Sequence, residues 1–292
     1  MSGLASYSGI RDLMERYELL PRKKWGQNFL FDQNIIRKIV DSCELTPNEY
    51  VLEIGPGLGA LTREFAQKSQ GVMAVDIDRR LEGVLNEVLS DYDNFRILFA
   101  DILKVDIEEE FKKAFCLNEI PAYQVCANIP YYITTPIIFR LLENCPHMQS
   151  ATLMMQREVA ARILASPGGK DYGLLSIMTA YYCEPEFLMK VSRNCFYPRP
   201  EVESTVIRIR PLREKRVGVK DELLFKNFLR LAFQRRRKTI LNICSEFFSR
   251  DKHRLEKQLR QIGIAPLSRP ETLSIEAFAL LVDTLQEEED DV

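Results

Sequence analysis

Tyr50-Val51-Leu52-Glu53-Ile54-Gly55-Pro56-Gly57-Leu58-Gly59-Ala60 passes from an apolar run through three glycines into a helical stretch that reaches about Lys68. Strand, tight turn and helix in immediate succession open a βαβ unit. Glycine in such a turn lets backbone approach a ligand closely and aims N–H groups at it. The same pattern recurs downstream. Val72-Met73-Ala74-Val75 ends in Asp76, with a helix near 79–89 behind it. Phe95 to Ala100 ends in Asp101, Tyr123 to Ala127 ends in Asn128, and Ala151 to Met155 makes a fifth strand. Strands alternating with helices predict a parallel sheet with right-handed crossovers. Acidic or amide residues close strands two, three and four, at the sheet edge where α/β proteins bind ligands.

Further along, Phe187 to Val191 is strand-like and Thr205 to Ile209 alternates as a final strand. Strand signals stop near Pro211. Amphipathic segments near 221–233, 236–248, 254–262 and 275–285 predict a small helical domain. The expected organisation is a Rossmann-like α/β domain over 1–210, with an N-terminal extension over 1–22. A helical domain over 211–286 and an acidic tail over 287–292 follow.

Composition narrows the partners. The 292 residues carry a formal net charge of -2, with no global basic signature. From Val206 to Arg260, however, 17 Lys and Arg face 6 Asp and Glu, which suggests a polyanion met by one region. Within it, Arg235-Arg236-Arg237-Lys238 is either a phosphate-holding cluster or a solvated helix face. Seven scattered cysteines without Cys-x-x-Cys, and two histidines, offer no metal pattern and fit a reducing cytosol. The first 17 residues lack a signal-peptide core, Asp12 and Glu15 argue against a transit peptide, and no apolar run approaches membrane-spanning length.

The chemistry gathers at Asn128-Ile129-Pro130-Tyr131. An amide oxygen and a backbone carbonyl held by proline are acceptors, and Tyr131 supplies a stacking face. Together they suit a flat amine-bearing ring; a strand-end turn with an Asn cap and a core Tyr is the plain alternative. Gly55-x-Gly57-x-x-Ala60 with Asp76 about 20 residues on fits a dinucleotide as well as S-adenosylmethionine, since both carry an adenosine ribose. No His or Tyr-Lys arrangement for hydride transfer is present, and acids favour a sulfonium over a pyrophosphate. An adenine amine gripped by two acceptors would turn its lone pair toward a methyl carbon, so that positioning and electrostatics suffice without a strong base. Ser166 to Gly173 reads as a loop, either a substrate guide or a plain connection.

Five segments carry a resemblance: Gly26-Gln27-Asn28-Phe29-Leu30, Glu53 to Gly59, Asn128 to Tyr131, Phe196-Tyr197-Pro198-Arg199-Pro200-x-Val202-x-Ser204, and Ala232 to Lys238. In order, over about 22–285, they resemble the ribosomal RNA adenine N6,N6-dimethyltransferases (the KsgA family). The resemblance implies an S-adenosylmethionine-dependent methyltransferase domain with a helical C-terminal domain. It also implies four methyl transfers to two adjacent adenosines in the 3′-terminal hairpin of small-subunit rRNA, late in subunit assembly. The cysteine usage points to a cytoplasmic protein, and nothing in the sequence suggests more than a monomer. The resemblance assigns Asn28, Leu30, Gly55, Gly57, Asp76, Asp101 and Asn128 to the cofactor and Asn128, Pro130 and Tyr131 to catalysis. Tyr131 and Phe196 would stack on the target base, and Arg235 to Lys238 would hold RNA. The related large-subunit rRNA methylase, a non-catalytic nucleic-acid-binding factor on the same fold and a nicotinamide oxidoreductase are the alternatives.

Overall fold

The computed structural model describes residue 4 and residues 6–22, 25–130 and 133–287. Two compact units emerge: Met1–Ala160 with Pro185–Pro211, and Ala161–Glu184 with Leu212–Val292.

The first unit begins with helix α1 (Tyr7–Arg16), the two-residue strand β1 (Phe29–Leu30) and α2 (Gln33–Ser42). Asp32 caps α2 by accepting from the N–H groups of Asn34 and Ile35. Then β2 (Tyr50–Ile54), α3 (Ala60–Lys68), β3 (Gly71–Asp76), α4 (Glu82–Val88) and β4 (Phe95–Phe99) alternate. The alternation continues through α5 (Ile107–Ala114), β5 (Tyr123–Asn128), α6 (Thr134–Asn144), β6 (Met148–Gln156) and α7 (Arg157–Ile163). After α8 (Leu174–Tyr182) come β7 (Cys183–Val191), β8 (Phe196–Tyr197) and β9 (Ser204–Pro211).

The main sheet has the order β4-β3-β2-β5-β6-β9-β7. Pairs β3–β4, β2–β3, β2–β5 and β5–β6 are parallel, as the alternation predicts. Strand β9 runs antiparallel to β6, so the sheet is mixed rather than parallel throughout. Every residue of β2 is buried, which is why it reads as an unbroken apolar run around one acid. On one face α2 and α3 bury Ile36, Ile39, Val40, Leu61 and Phe65 against Val51 and Val72. Each such side chain contributes about 1.5–3 kcal/mol. On the other face Phe111 of α5 meets Tyr50 edge-on and stacks on Tyr123. Helices α5 and α6 and the β1–β8 ribbon are elements that the sequence pattern did not single out.

The second unit adds α9 (Glu222–Gln234), α10 (Ile240–Phe248), α11 (Lys252–Gln261) and α12 (Ile275–Glu287), close to the expected helices. It also takes in residues 161–184, which the expected boundary near 210 had assigned to the α/β domain. The cause is α8, which buries Leu175, Ile177, Met178 and Tyr181 and packs on α9 and α12. The loop over 166–173 is pinned: Gly168 N–H donates to the Glu271 carbonyl at 2.7 Å, and the Tyr172 carbonyl accepts from Arg236. Among the described residues no helix is long and apolar enough to cross a membrane.

Candidate active site

Sheet register builds the site. Ile54 pairs with Val75 on one side and Ala127 on the other, so Gly55, Asp76 and Asn128 fall in one row across β2, β3 and β5. The middle position has no side chain, which leaves room between the two flanking polar groups. Gly55 has φ 75° and donates its N–H to the Val75 carbonyl at 2.9 Å. Gly57 also lies in the left-handed region, and a Cβ there would come within 3.0 Å of the Phe29 ring. The turn is therefore held open by glycine and walled by the N-terminal segment.

That segment is clamped from below. Gln27 donates to Asp78 at 2.8 Å and accepts from the Arg22 N–H at 2.8 Å. Asp78 also receives Arg80 at 2.7 Å. Burial would raise its carboxyl, but Arg80 and Gln27 outweigh burial and hold it below the usual range. The Trp25 ring carries the Arg22 guanidinium 4.5 Å from its centroid and that of Arg80 at 5.8 Å. So fixed, the segment delivers Asn28, Phe29 and Leu30 to the sheet edge. The Asn28 carbonyl accepts Nδ2 of Asn128 at 3.1 Å.

This bond orients the Asn128 amide. With Nδ2 committed, Oδ1 is left as an acceptor, and it takes no hydrogen bond among the described residues. The next residue adds a second acceptor. Ile129 donates its N–H to Met154 at 3.0 Å, while its carbonyl accepts none among the described residues. Pro130 differs: its carbonyl already takes the Ile133 N–H at 3.2 Å and the Thr134 hydroxyl at 3.3 Å. The open carbonyl beside Pro130 is therefore that of Ile129.

A cavity of about 330 Å³ occupies this edge. Asn28, Leu30, Gly55, Gly57, Asp76, Asp101, Asn128 and Pro130 all line it, so the sequence-predicted cofactor residues converge on one space. Asp76 receives the Asp78 N–H at 2.8 Å, yet burial dominates and pushes its carboxyl up to about 6. Asp101 is fixed by the Leu103 N–H at 3.0 Å. Trp25, Glu53, Ile77 and Ile102 also line the cavity. Sequence reading did not assign them to the site, although Ile77 and Ile102 directly follow the two strand-end acids.

Two expectations fare differently. Phe196 is buried in the core beside Leu30, Ile36 and Val191 and does not line the cavity, so in this structure its ring offers no stacking face. Its ribbon partner is Leu30, which draws it inward. Tyr131 and the acidic tail beyond residue 287 lie outside the described residues. In the helical unit, Arg235 and Lys238 both pair with Glu246, at 3.3 and 2.8 Å, and Arg236 donates to the Tyr172 carbonyl. Arg237 alone of the four carries no hydrogen bond or ion pair among the described residues.

The chain matches known proteins over most of its length. The family model of ribosomal RNA adenine dimethylases matches residues 19–287. A ribosomal RNA small subunit methyltransferase A of Bacillus cytotoxicus is 44% identical over 288 residues, covering 98% of each chain. Its namesake in Moorella thermoacetica is 45% identical over 288 residues, 98% of this chain and all of that one. Among solved structures, a dimethyladenosine transferase from Plasmodium falciparum aligns with TM-score 0.73 at 25% identity, over 90% of this chain and 98% of its own. The 23S rRNA methyltransferase ErmE aligns with TM-score 0.67 at 30% identity, over 89% of this chain and all of its own.

Proposed function

The chain belongs to the ribosomal RNA adenine dimethylase family, and from that premise we propose that it dimethylates N6 of two adjacent adenosines in the 3′-terminal hairpin of small-subunit rRNA. It is an S-adenosylmethionine-dependent enzyme of the adenine dimethyltransferase type. The proposal adds that it acts late in subunit assembly, in the cytoplasm and as a monomer. Identity of 42–45% to small-subunit enzymes, against 30% to the large-subunit ErmE, supports the small-subunit substrate. A nicotinamide cofactor finds no support in this family.

The residues present fit the cofactor. In this reading Asp76 accepts from the ribose hydroxyls and Asp101 from the adenine amine; both line the cavity, as do Ile77 and Ile102. Gly55 and Gly57 leave room for the methionine end, bordered by Asn28 and Leu30. Bound there, S-adenosylmethionine supplies an electrophilic methyl group. The chain's own task is to present a nucleophile. An adenine amine has two N–H groups, and Asn128 Oδ1 and the Ile129 carbonyl are two acceptors on consecutive residues that take no hydrogen bond among the described residues. Accepting a hydrogen bond from each N–H draws the nitrogen out of conjugation and exposes its lone pair. Pro130 stiffens the peptide that carries the second acceptor. In the same reading Tyr131 stacks on the splayed-out base, and the basic cluster of the helical unit meets phosphates.

The single observation that carries this reading is the committed Nδ2 of Asn128, which leaves the oxygen as the acceptor half of an amide that lines a cavity shared with Asp76 and Asp101. Labelled methyl transfer to small subunits lacking the modification, with mapping of the acceptor bases, tests it. Label on two adjacent adenosines of the 3′ hairpin is expected; no transfer, or label on other bases of the small subunit, would contradict it.

A further inference from the structure

Beneath the row of Gly55, Asp76 and Asn128 lies a second row on the same sheet face: Ala74, Glu53 and Cys126. Glu53 is thus directly under the residue that leaves space for the cofactor. It is 1% exposed, it forms part of the cavity wall, and its Oε2 has no hydrogen-bond partner among the described residues. An unpartnered carboxyl oxygen in such a place is costly unless something compensates it. The groups acting on it are Thr62 of α3 and Asp76 of β3, and Cys126 of β5 and Cys43 of α2 also feel its charge. None of these is a cation.

We propose that Glu53 is a specificity-determining residue: its carboxyl gives up a proton when a sulfonium cation occupies the floor at Gly55, and so distinguishes the charged cofactor from its uncharged thioether product. Burial, with Asp76 adding to it, pushes the empty-state carboxyl up to about 8, so it is protonated at neutral pH. A positive charge one layer above favours the ionised form, commonly by about 1–3 pKa units. S-adenosylhomocysteine carries the same ribose, adenine and amino-acid end without the sulfonium charge. The ammonium of the amino-acid end is common to both ligands, so the ratio of the two affinities isolates the response to the sulfonium.

The sign follows from linkage. Above about pH 8, Glu53 is ionised before any ligand arrives, and preference for the cofactor is greatest. As pH falls, the proton must be expelled on binding, and the preference drops by about tenfold per unit until Glu53 stays protonated in the complex.

Calorimetric titration of the full chain with S-adenosylmethionine and S-adenosylhomocysteine, from about pH 6 to 9, reads this directly. In the wild type the ratio of product Kd to cofactor Kd should rise about tenfold or more between pH 6 and 8 and then level. In Glu53→Gln it should be flat above about pH 7, where Asp76 is already ionised. A flat wild-type ratio, or an unchanged slope in the variant, overturns the proposal. Infrared difference spectra of the wild type give a second reading. The carbonyl band of a protonated carboxylic acid should vanish at pH 7 on adding the cofactor and persist on adding the product. A band insensitive to the cofactor overturns it equally. The proposal rests on the cofactor and not on the choice of RNA. Failure to bind either ligand would count against the functional reading, whereas tight binding of both with a pH-independent ratio would count against Glu53 alone.

Discussion

Asn128 donates its side-chain amide to the backbone carbonyl of Asn28 across 3.1 Å, joining the end of β5 to the segment that walls the cavity. The donor half of the amide is used for structure, which leaves the acceptor half for chemistry. Asn128→Ala removes both. Its kcat should fall by about 10²–10³-fold, with a smaller loss of cofactor affinity, as measured by single-turnover methyl transfer and equilibrium binding. Asn128→Asp separates the two functions. It keeps acceptor oxygens but aims a carboxylate at the Asn28 carbonyl, so it too should be strongly impaired. Near-normal turnover in Asn128→Asp would mean that orientation by Asn28 is unimportant.

Gly57→Ala tests the shape of the turn. The new Cβ would meet the Phe29 ring at 3.0 Å in a left-handed conformation. Left-handed backbone costs a non-glycine residue about 1–2 kcal/mol, and the ring must also give way. Cofactor affinity should fall by about tenfold or more, read by calorimetry. Pairing the change with Phe29→Leu relieves the clash but not the strain, and should recover only part of the loss.

Glu53 has a consequence for stability that is separate from binding. Its carboxyl is raised to about 8 in the folded chain, whereas the unfolded chain ionises near the ordinary value of 4.5. Between those values the native state holds a proton that the unfolded state has lost, so this group's contribution to stability declines as pH rises. Glu53→Gln removes that decline. Without cofactor, the variant should gain on the wild type steadily from about pH 5 to 8, by on the order of a few kcal/mol, in denaturant melts at several pH values. Parallel stability curves for the two proteins would contradict the raised carboxyl.

In the basic cluster the four charges are unequal. Arg235 and Lys238 already face Glu246, whose carboxyl is held below the usual range by the hydrogen bond from Lys238 first and then by the two charges. Arg237 has no such partner among the described residues. Arg237→Ala should weaken binding to small subunits more than Arg235→Ala does, and should lower the salt slope by about one. Equal effects in filter binding across a salt series would show that the ion pairs open freely on contact.

How much of this was readable beforehand follows from how local each feature is. The β2–turn–α3 unit, Asp76, Asp101 and Asn128 were legible because an apolar run followed by glycine or an acid is a short-range signal. The β1–β8 ribbon was not, since Phe29–Leu30 and Phe196–Tyr197 are two-residue strands with no periodicity and meet only in the fold. That pairing buries Phe196, which the family resemblance offers as a stacking ring. Helix α8 changed sides of the expected boundary because its apolar surface is used against α9 and α12, which chain order does not reveal. The amide orientation of Asn128 depends on a carbonyl 100 residues away. Glu53 was legible as a motif residue, but its unpartnered oxygen is a property of packing alone.

The most direct measurement is a crystal structure of the chain with S-adenosylhomocysteine and an adenosine-bearing RNA fragment. Asn128 Oδ1 and the Ile129 carbonyl should each lie about 3 Å from the target N6, with Asn128 Nδ2 still on the Asn28 carbonyl. An adenine amine bound elsewhere, with Asn128 turned away from the cavity, would contradict the account.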